Sequence, residues 1–409
     1  MGIVSEFIFN LKSFTSNVRK FMFCVFVSGL VMASVNIMLG IYYKNIGLTE
    51  DIIGSLLSLR TIGSSIGALF AIFLVQWLGT KKTLFLSFGL TIVSGLCFVN
   101  ITYLPVMQVS SLLYGIAQIV FTVVQAPFYK KNSSDANVVA TFSTSFVVQN
   151  LAMFVGSLLF GRLSDFFAMF KDAAFGSRTT LNLSFILMLA AIAATAYIDF
   201  GTEEKSSVSR FTSLKEYRRI LTKDVWLYLT KLALIGAGAG LVVPFFSMYI
   251  KFSLNVSDSV VGAIMAFAQF GTVLGGLIVP MLSKRIGRVN MVLICQLLSI
   301  PFLFSISFTQ GIILMAISFF FRNALMNMAN PILQSMAMDL VEEKDRTVMS
   351  SIFSLTDNLF RAGGSFMGGY FMKSVSYNFP YYITMVLYLL STVVIYFVFG
   401  RNEKYKYLR

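Results

Sequence analysis

Residues 60–82 read RTIGSSIGALFAIFLVQWLGTKK, and residues 268–290 read AQFGTVLGGLIVPMLSKRIGRVN. The second stretch begins 208 residues after the first, and it sets Gly63, Gly67 and Gly79 on Gly271, Gly275 and Gly287. The register holds outward in both directions. Gly54 falls on Gly262, Asn150-Leu151 on Asn358-Leu359, Gly156-Ser157 on Gly364-Ser365, and Gly161 on Gly369. Six of the fifteen glycines up to residue 201 meet a glycine this way, where chance supplies about one. A duplicated half built of apolar helices is the mark of carriers whose two bundles rock about a midplane site.

The rest of the composition agrees. The chain is 57% hydrophobic and 12% charged, with a mean hydropathy of +0.79, outside the range of soluble domains. There is no histidine, so a His relay, a His-ligated metal or a Ser-His-Asp triad is excluded. Cys24, Cys97 and Cys295 lie in apolar runs without metal spacing and read as buried free thiols. No cofactor is implied.

Hydropathy predicts twelve segments of the ~20-residue length a bilayer requires. They run near 20–43, 51–76, 83–103, 106–129, 139–164 and 178–200, then 225–250, 259–283, 289–308, 311–337, 347–372 and 379–400. The expected organisation is a six-helix bundle over 1–200, a polar linker over 201–223 and a second six-helix bundle over 224–409. The first segment has a counterpart in the seventh, so it reads as a helix of the bundle rather than a cleaved signal. With twelve spans both termini share one side. That side collects 22 of the Lys and Arg residues and the other side 6, which predicts cytoplasmic termini in the plasma membrane. The +14 net charge is therefore topological, and nucleic acid is not an expected partner. Leu214, Tyr217 and Leu221 in the linker, and Ile3, Phe7, Leu11, Phe14 and Val18 before the first span, recur at helical spacing and suggest helices on the membrane surface.

Over essentially its full length the chain resembles the major facilitator superfamily: six plus six helices, a basic central loop and an internal duplication. That family carries a signature of roughly G-x-x-x-D-R-x-G-R-R between helices 2 and 3, with a degenerate copy between helices 8 and 9. Here the first copy reads Gln76-Trp77-Leu78-Gly79-Thr80-Lys81-Lys82 and the second Lys284-Arg285-Ile286-Gly287-Arg288. The turn glycine and the basic residues match, while Gln76 and Lys284 stand at the acidic position. The resemblance marks Gly79, Lys81, Lys82, Gly287, Arg285 and Arg288 as loop residues of the conformational change. Helix 5 has Gly156-Ser157 and no proline, unlike the Gly-Pro pair common in antiporters of the family.

The glycine pairs Gly63/Gly67 and Gly271/Gly275 read as helix-packing motifs, because lipid supplies no hydrophobic drive between helices and close approach must replace it. Pro127 and Pro331 occupy matching places late in helices 4 and 10, where a proline kinks a helix. Charges at membrane depth are the functional layer, since each costs at least ~2.5 kcal/mol to insert. Asp357 and Arg361 are four apart on one helix face and able to pair. Two readings stand for them: a neutralised pair that eases burial, or a carboxylate whose proton occupancy is coupled to transport, held near an arginine, Arg361, for whose charge the substrate can compete. Arg60 and Arg322 have no acidic partner on their own helices. An anionic substrate group is the economical partner for such planar, forked cations, although an arginine can also bridge helix carbonyls.

Asn323, Asn327, Asn330 and Gln334 form one continuous face of helix 10. Gln118, Thr122 and Gln125 form a similar stripe on helix 4, and Asn36 on helix 1 joins the candidates. In the family that the chain resembles, helices 1, 4, 7 and 10 line the central cavity, which implies that these amides meet the substrate. The expectation is a monomeric secondary active transporter of the plasma membrane. It moves a small organic solute with an anionic group, driven by protons through Asp357. The alternatives are an efflux antiporter of lipophilic compounds, and a lipid flippase or transport-inactive receptor on the same fold.

Overall fold

The computed structural model of the chain describes residues 14–133, 137–200, 220–308 and 311–400. Among these it contains helices and no strand. The first six long helices are α1 Ser16–Asn45, α2 Glu50–Leu78, α3 Thr80–Asn100, α4 Leu104–Asn132, α5 Val138–Ala168 and α6 Ala173–Ala196. The second six are α7 Lys223–Leu254, α8 Asp258–Ile286, α9 Arg288–Phe308, α10 Ile312–Met338, α11 Arg346–Ser374 and α12 Phe379–Ile395. Every segment expected from hydropathy is a helix. Ile3, Phe7, Leu11, Leu214 and Tyr217, proposed to lie on the membrane surface, fall outside the described residues. Phe14 and Val18 are described, and they pack with Met22 in a small apolar cluster.

Eleven of these helices are long and apolar enough to cross a membrane. The exception is α11, whose middle carries Ser350, Ser351, Ser354, Thr356, Asp357, Asn358 and Arg361. A helix this polar is stable at membrane depth only where neighbouring helices satisfy it.

Local signals explain the ends of the elements. Thr15 caps α1 by accepting from the Val18 amide at 3.3 Å, Asp172 caps α6 and Thr222 caps α7. Gly79 and Gly287 end α2 and α8 with φ of 78° and 82°, a left-handed backbone that glycine adopts without strain. α7 is interrupted by a 3-10 turn at Val243–Phe245, where Pro244 removes a backbone donor.

The chain divides into two compact units, one of Met1–Ile46, Leu59–Ser209 and Ser257–Ala263, the other of Gly47–Ser58, Arg210–Val256 and Ile264–Arg409. Each follows the same pairing scheme. In the first, α1 packs on α5 and α6, and α3 packs on α4 and α6; in the second, α7 packs on α11 and α12, and α9 packs on α10 and α12. The glycine pairs act as expected. A Cβ on Gly63 would stand 2.0 Å from the Leu112 carbonyl oxygen, and one on Gly271 would stand 2.6 Å from that of Phe320. Those two contacts are themselves 208 residues apart, so the duplication extends to individual backbone crossings.

Candidate substrate and coupling site

In the first unit Arg60 sits on α2 where that helix crosses α4. Its carbonyl oxygen lies 1.9 Å from the place a Cβ on Gly115 would take. That crossing fixes the backbone from which the guanidinium extends. Arg60 Nη2 donates to Asn36 Oδ1 at 3.4 Å. The arginine also lies close enough to Tyr43 and Tyr114 for its charge to act on both hydroxyls. Gln118 Nε2 donates to the Tyr114 hydroxyl at 3.2 Å. Arg60 is thus joined to Asn36 on one side, while Gln118 meets Tyr114, a residue that no sequence pattern marked. Gln125 is half-buried two turns further along α4.

In the second unit Arg322 is 5% exposed on α10. Its Nη1 donates to Asn323 Oδ1 at 3.0 Å and its Nη2 to the Tyr388 hydroxyl of α12 at 3.2 Å. The guanidinium carbon lies 4.8 Å from the ring centre of Phe246, which follows the 3-10 turn of α7. Its Nε has no hydrogen-bond partner, and among the described residues no carboxylate pairs with it. Tyr388 and Phe246 were not visible as site residues in the sequence. The amide stripe is partly engaged in helix packing: Asn327 Nδ2 donates to Thr272 Oγ1 of α8 at 3.2 Å, and Asn330 Nδ2 to Asn327 Oδ1 at 3.4 Å. Asn323 and Asn327 are half-buried, while Asn330 and Gln334 are exposed.

Asp357 and Arg361 form the expected pair, with Arg361 Nη2 at 3.2 Å from Oδ1 and 3.1 Å from Oδ2. Both side chains remain partly exposed, 32% for Arg361 and 23% for Asp357. A third charge belongs to this cluster. Lys231 on α7 is 1% exposed, its Nζ has no hydrogen-bond partner, and it faces the Tyr228 ring at 5.6 Å from the centroid. The Asp357 carboxylate is near enough to act on it electrostatically. No pattern in the sequence marks Lys231 as a site residue.

Loop residues marked by the resemblance divide by contact. Lys81 Nζ donates to the Ala196 carbonyl at 3.0 Å, beside Lys20 on Tyr197 and Lys131 on Phe200, so three lysines gather on the carbonyl end of α6. Arg288 Nη1 pairs with Asp339 Oδ2 at 3.4 Å, closing α9 on the end of α10. Lys82 and Arg285 are exposed.

Two further polar contacts follow the repeat. In the first unit Asp165 accepts from the Asp258 and Ser259 amides at 2.9 and 2.8 Å, a carboxylate seated on the start of α8. In the second unit Lys373 pairs with Asp51 at 2.9 Å at the start of α2. Residues 165 and 373, and 51 and 259, are both 208 apart. Tyr377 donates to Glu50 beside the second contact, and burial together with that carboxylate pushes its hydroxyl up.

Residues 230–408 match the sequence model of the Major Facilitator Superfamily. A variant of the nucleoside transporter NupG superposes with a TM-score of 0.81 at 15% identity, over 94% of this chain and 100% of that one. The fold is that of the Major Facilitator Superfamily. Other structures with this fold are similar too. A D-xylose-proton symporter gives 0.72 at 15% identity over 93% of this chain and 98% of its own. A POT family transporter in complex with 5-aminolevulinic acid gives 0.73 at 12% identity, over 97% and 100%. No curated protein matches the chain in sequence. The fold and its apolar helices make this a multi-pass membrane protein.

Proposed function

We propose that the chain is a monomeric secondary active carrier of the plasma membrane, with cytoplasmic termini. In this reading it moves a small organic solute bearing an anionic group, and protons drive it through Asp357. One observation carries the reading. In the second unit the described helices carry three basic residues well inside their spans, Lys231, Arg322 and Arg361, against one carboxylate at that depth, Asp357, which pairs with Arg361. Excess positive charge at membrane depth is costly, so a functional counter-ion is the expected partner. The partly exposed Arg361 and Arg60 are the proposed contacts to that anion, because an arginine fork matches carboxylate and phosphate. Arg322, held from three sides, supplies fixed positive charge and positions Asn323 and Tyr388. Thermal-shift measurements on purified protein, comparing organic anions with cationic drugs, test the proposal. Stabilisation by anions supports it, and stabilisation by cations alone overturns it.

A second reading, an uncharged polar solute, is favoured by the exposed amides of Asn330 and Gln334 on α10. The similarity in fold to a nucleoside transporter and a D-xylose-proton symporter is compatible with it. Retained uptake in an Arg361→Gln variant would support it.

A further inference from the structure

We propose that Lys20, Lys81 and Lys131, gathered on the carbonyl end of α6, form a binding site for the phosphate headgroup of an acidic membrane lipid. The three come from different helices: Lys20 from the start of α1, Lys81 from the start of α3 and Lys131 from the end of α4. Lys20 donates to the Tyr197 carbonyl at 2.7 Å, Lys81 to that of Ala196 at 3.0 Å and Lys131 to that of Phe200 at 3.0 Å. Ala196 and Tyr197 are neighbours, with Cα atoms about 3.8 Å apart, so the ammonium groups of Lys20 and Lys81 stand side by side. Each ammonium has three donors and spends one on its carbonyl, which fixes the charge without exhausting the donors. Fixing the charges beforehand lowers the entropy that a bound anion has to overcome.

The carbonyl end of one helix offers about half a negative charge, too little for what collects there. Arg19, Lys82 and Lys130 adjoin the three lysines in sequence and are exposed, and among the described residues Asp199 is the one carboxylate at this end of the unit. The duplication shows that the fold does not require these cations. Their repeat counterparts are Leu227, Tyr228, Val289, Asn290, Met338 and Asp339, none of them basic. In the second unit Asp339 neutralises Arg288 at 3.4 Å, whereas the first unit carries Lys131 at the place of Asp339. Such a cluster at the ends of membrane helices draws acidic lipid, by about fivefold for each basic residue near the surface. Lipid rather than a free phosphate ion is the source, because exposed rings flank the cluster. Trp77 is 81% exposed four residues before Lys81, and Tyr197, whose carbonyl holds Lys20, is 75% exposed. Thr83 Oγ1 donates to the Leu74 carbonyl at 3.1 Å and closes the turn between Trp77 and Lys81. Trp and Tyr rings settle at headgroup level, where an apolar body and a polar tip are both satisfied.

The site is separate from the solute site, and its test needs no transport. Trp77 and Trp226 are the two tryptophans of the chain. Trp226→Phe leaves Trp77 beside the cluster, and Trp77→Phe leaves Trp226, 56% exposed at the start of α7, as the reference. Both variants are reconstituted in phosphatidylcholine vesicles with a minor share of brominated phosphatidylglycerol or brominated phosphatidylcholine, and fluorescence quenching is compared. Trp77 is expected to prefer the acidic lipid about fivefold or more, less so at high salt, and Trp226 is expected to show little preference. Adding Lys20→Gln, Lys81→Gln and Lys131→Gln to the Trp226→Phe variant is expected to abolish the preference at Trp77. Equal preference at the two tryptophans overturns the site, as does a preference at Trp77 that survives the three substitutions. Sodium phosphate that displaces the acidic lipid better than sodium chloride of equal ionic strength overturns the lipid as the source. Should the triple substitution fail to fold, Lys81→Gln alone decides: a preference lowered about fivefold supports the site, and an unchanged one overturns it.

Discussion

The carbonyl oxygen of Arg361 stands 2.2 Å from where a Cβ on Gly240 would be. Backbone meets backbone there, and the contact repeats along α7 and α11. A Cβ on Gly364 would stand at the same distance from the Ala237 carbonyl oxygen, and one on Gly368 would stand 2.5 Å from that of Leu241. Small residues at a membrane helix interface permit this closeness, and van der Waals contact then replaces the hydrophobic drive that lipid does not supply. α7 and α11 are therefore packed backbone to backbone beside Asp357 and Arg361.

Neighbouring glycines on α11 should respond oppositely to the same substitution. Gly364→Ala forces a Cβ into the Ala237 carbonyl and should cost about 1–3 kcal/mol as overpacking. Gly363 has nothing within 4 Å of the corresponding position, so Gly363→Ala should be neutral, or slightly stabilising through helix propensity. Melting midpoints in detergent decide; equal losses at the two positions would contradict the packing described.

Arg322 and Arg361 should separate into a holding and a contacting cation. Arg322→Gln deprives Asn323 and the Tyr388 hydroxyl of their donor and should lower stability by about 1–3 kcal/mol. Arg361→Gln should largely spare stability and weaken binding of the anionic solute at least tenfold, the scale of one lost charge-assisted hydrogen bond. The check is melting plus equilibrium binding on both variants, and an unmoved melting point in Arg322→Gln would remove its holding role.

The fold was legible because its signals are periodic. Hydropathy located all twelve helices, and matched glycines exposed the duplication because glycine is favoured wherever backbones touch or φ turns positive. The same repeat hid where chemistry can be met by another residue. Gly47 and Asn255 are 208 apart and both left-handed, with φ of 86° and 50°, but asparagine also tolerates that backbone, so identity was lost. Asp165 and Lys373 share a repeat position with opposite charge, because one sits on helix amides and the other on Asp51. Within the site, the pair four apart on one helix was readable, as was the amide stripe. Tyr114, Tyr388 and Phe246 were not, since they act across helices and stand among 17 Tyr and 42 Phe with no local pattern to mark them.

Topology can be checked directly. The basic bias of the sequence predicts that the linker around Lys215 faces the cytoplasm. A reporter fused after that residue should be active only in its cytoplasmic form, and activity only on the outer side would reverse the orientation.

Asp357→Asn should uncouple the carrier. In the paired state the carboxylate accepts from Arg361 at 3.1 and 3.2 Å. Release of Arg361 to a solute would change what faces the carboxylate, and the coupling proposed for Asp357 rests on that change. Asparagine imitates the protonated state permanently while keeping nearly the same volume, and it can still accept one hydrogen bond from Arg361. In proteoliposomes the variant should bind solute and exchange it across the membrane, yet fail to accumulate it when a proton gradient is imposed. Accumulation against a concentration gradient by Asp357→Asn would remove this residue from the coupling path. Loss of exchange together with a lowered melting point would instead assign Asp357 to neutralising the buried cations, with no part in proton movement.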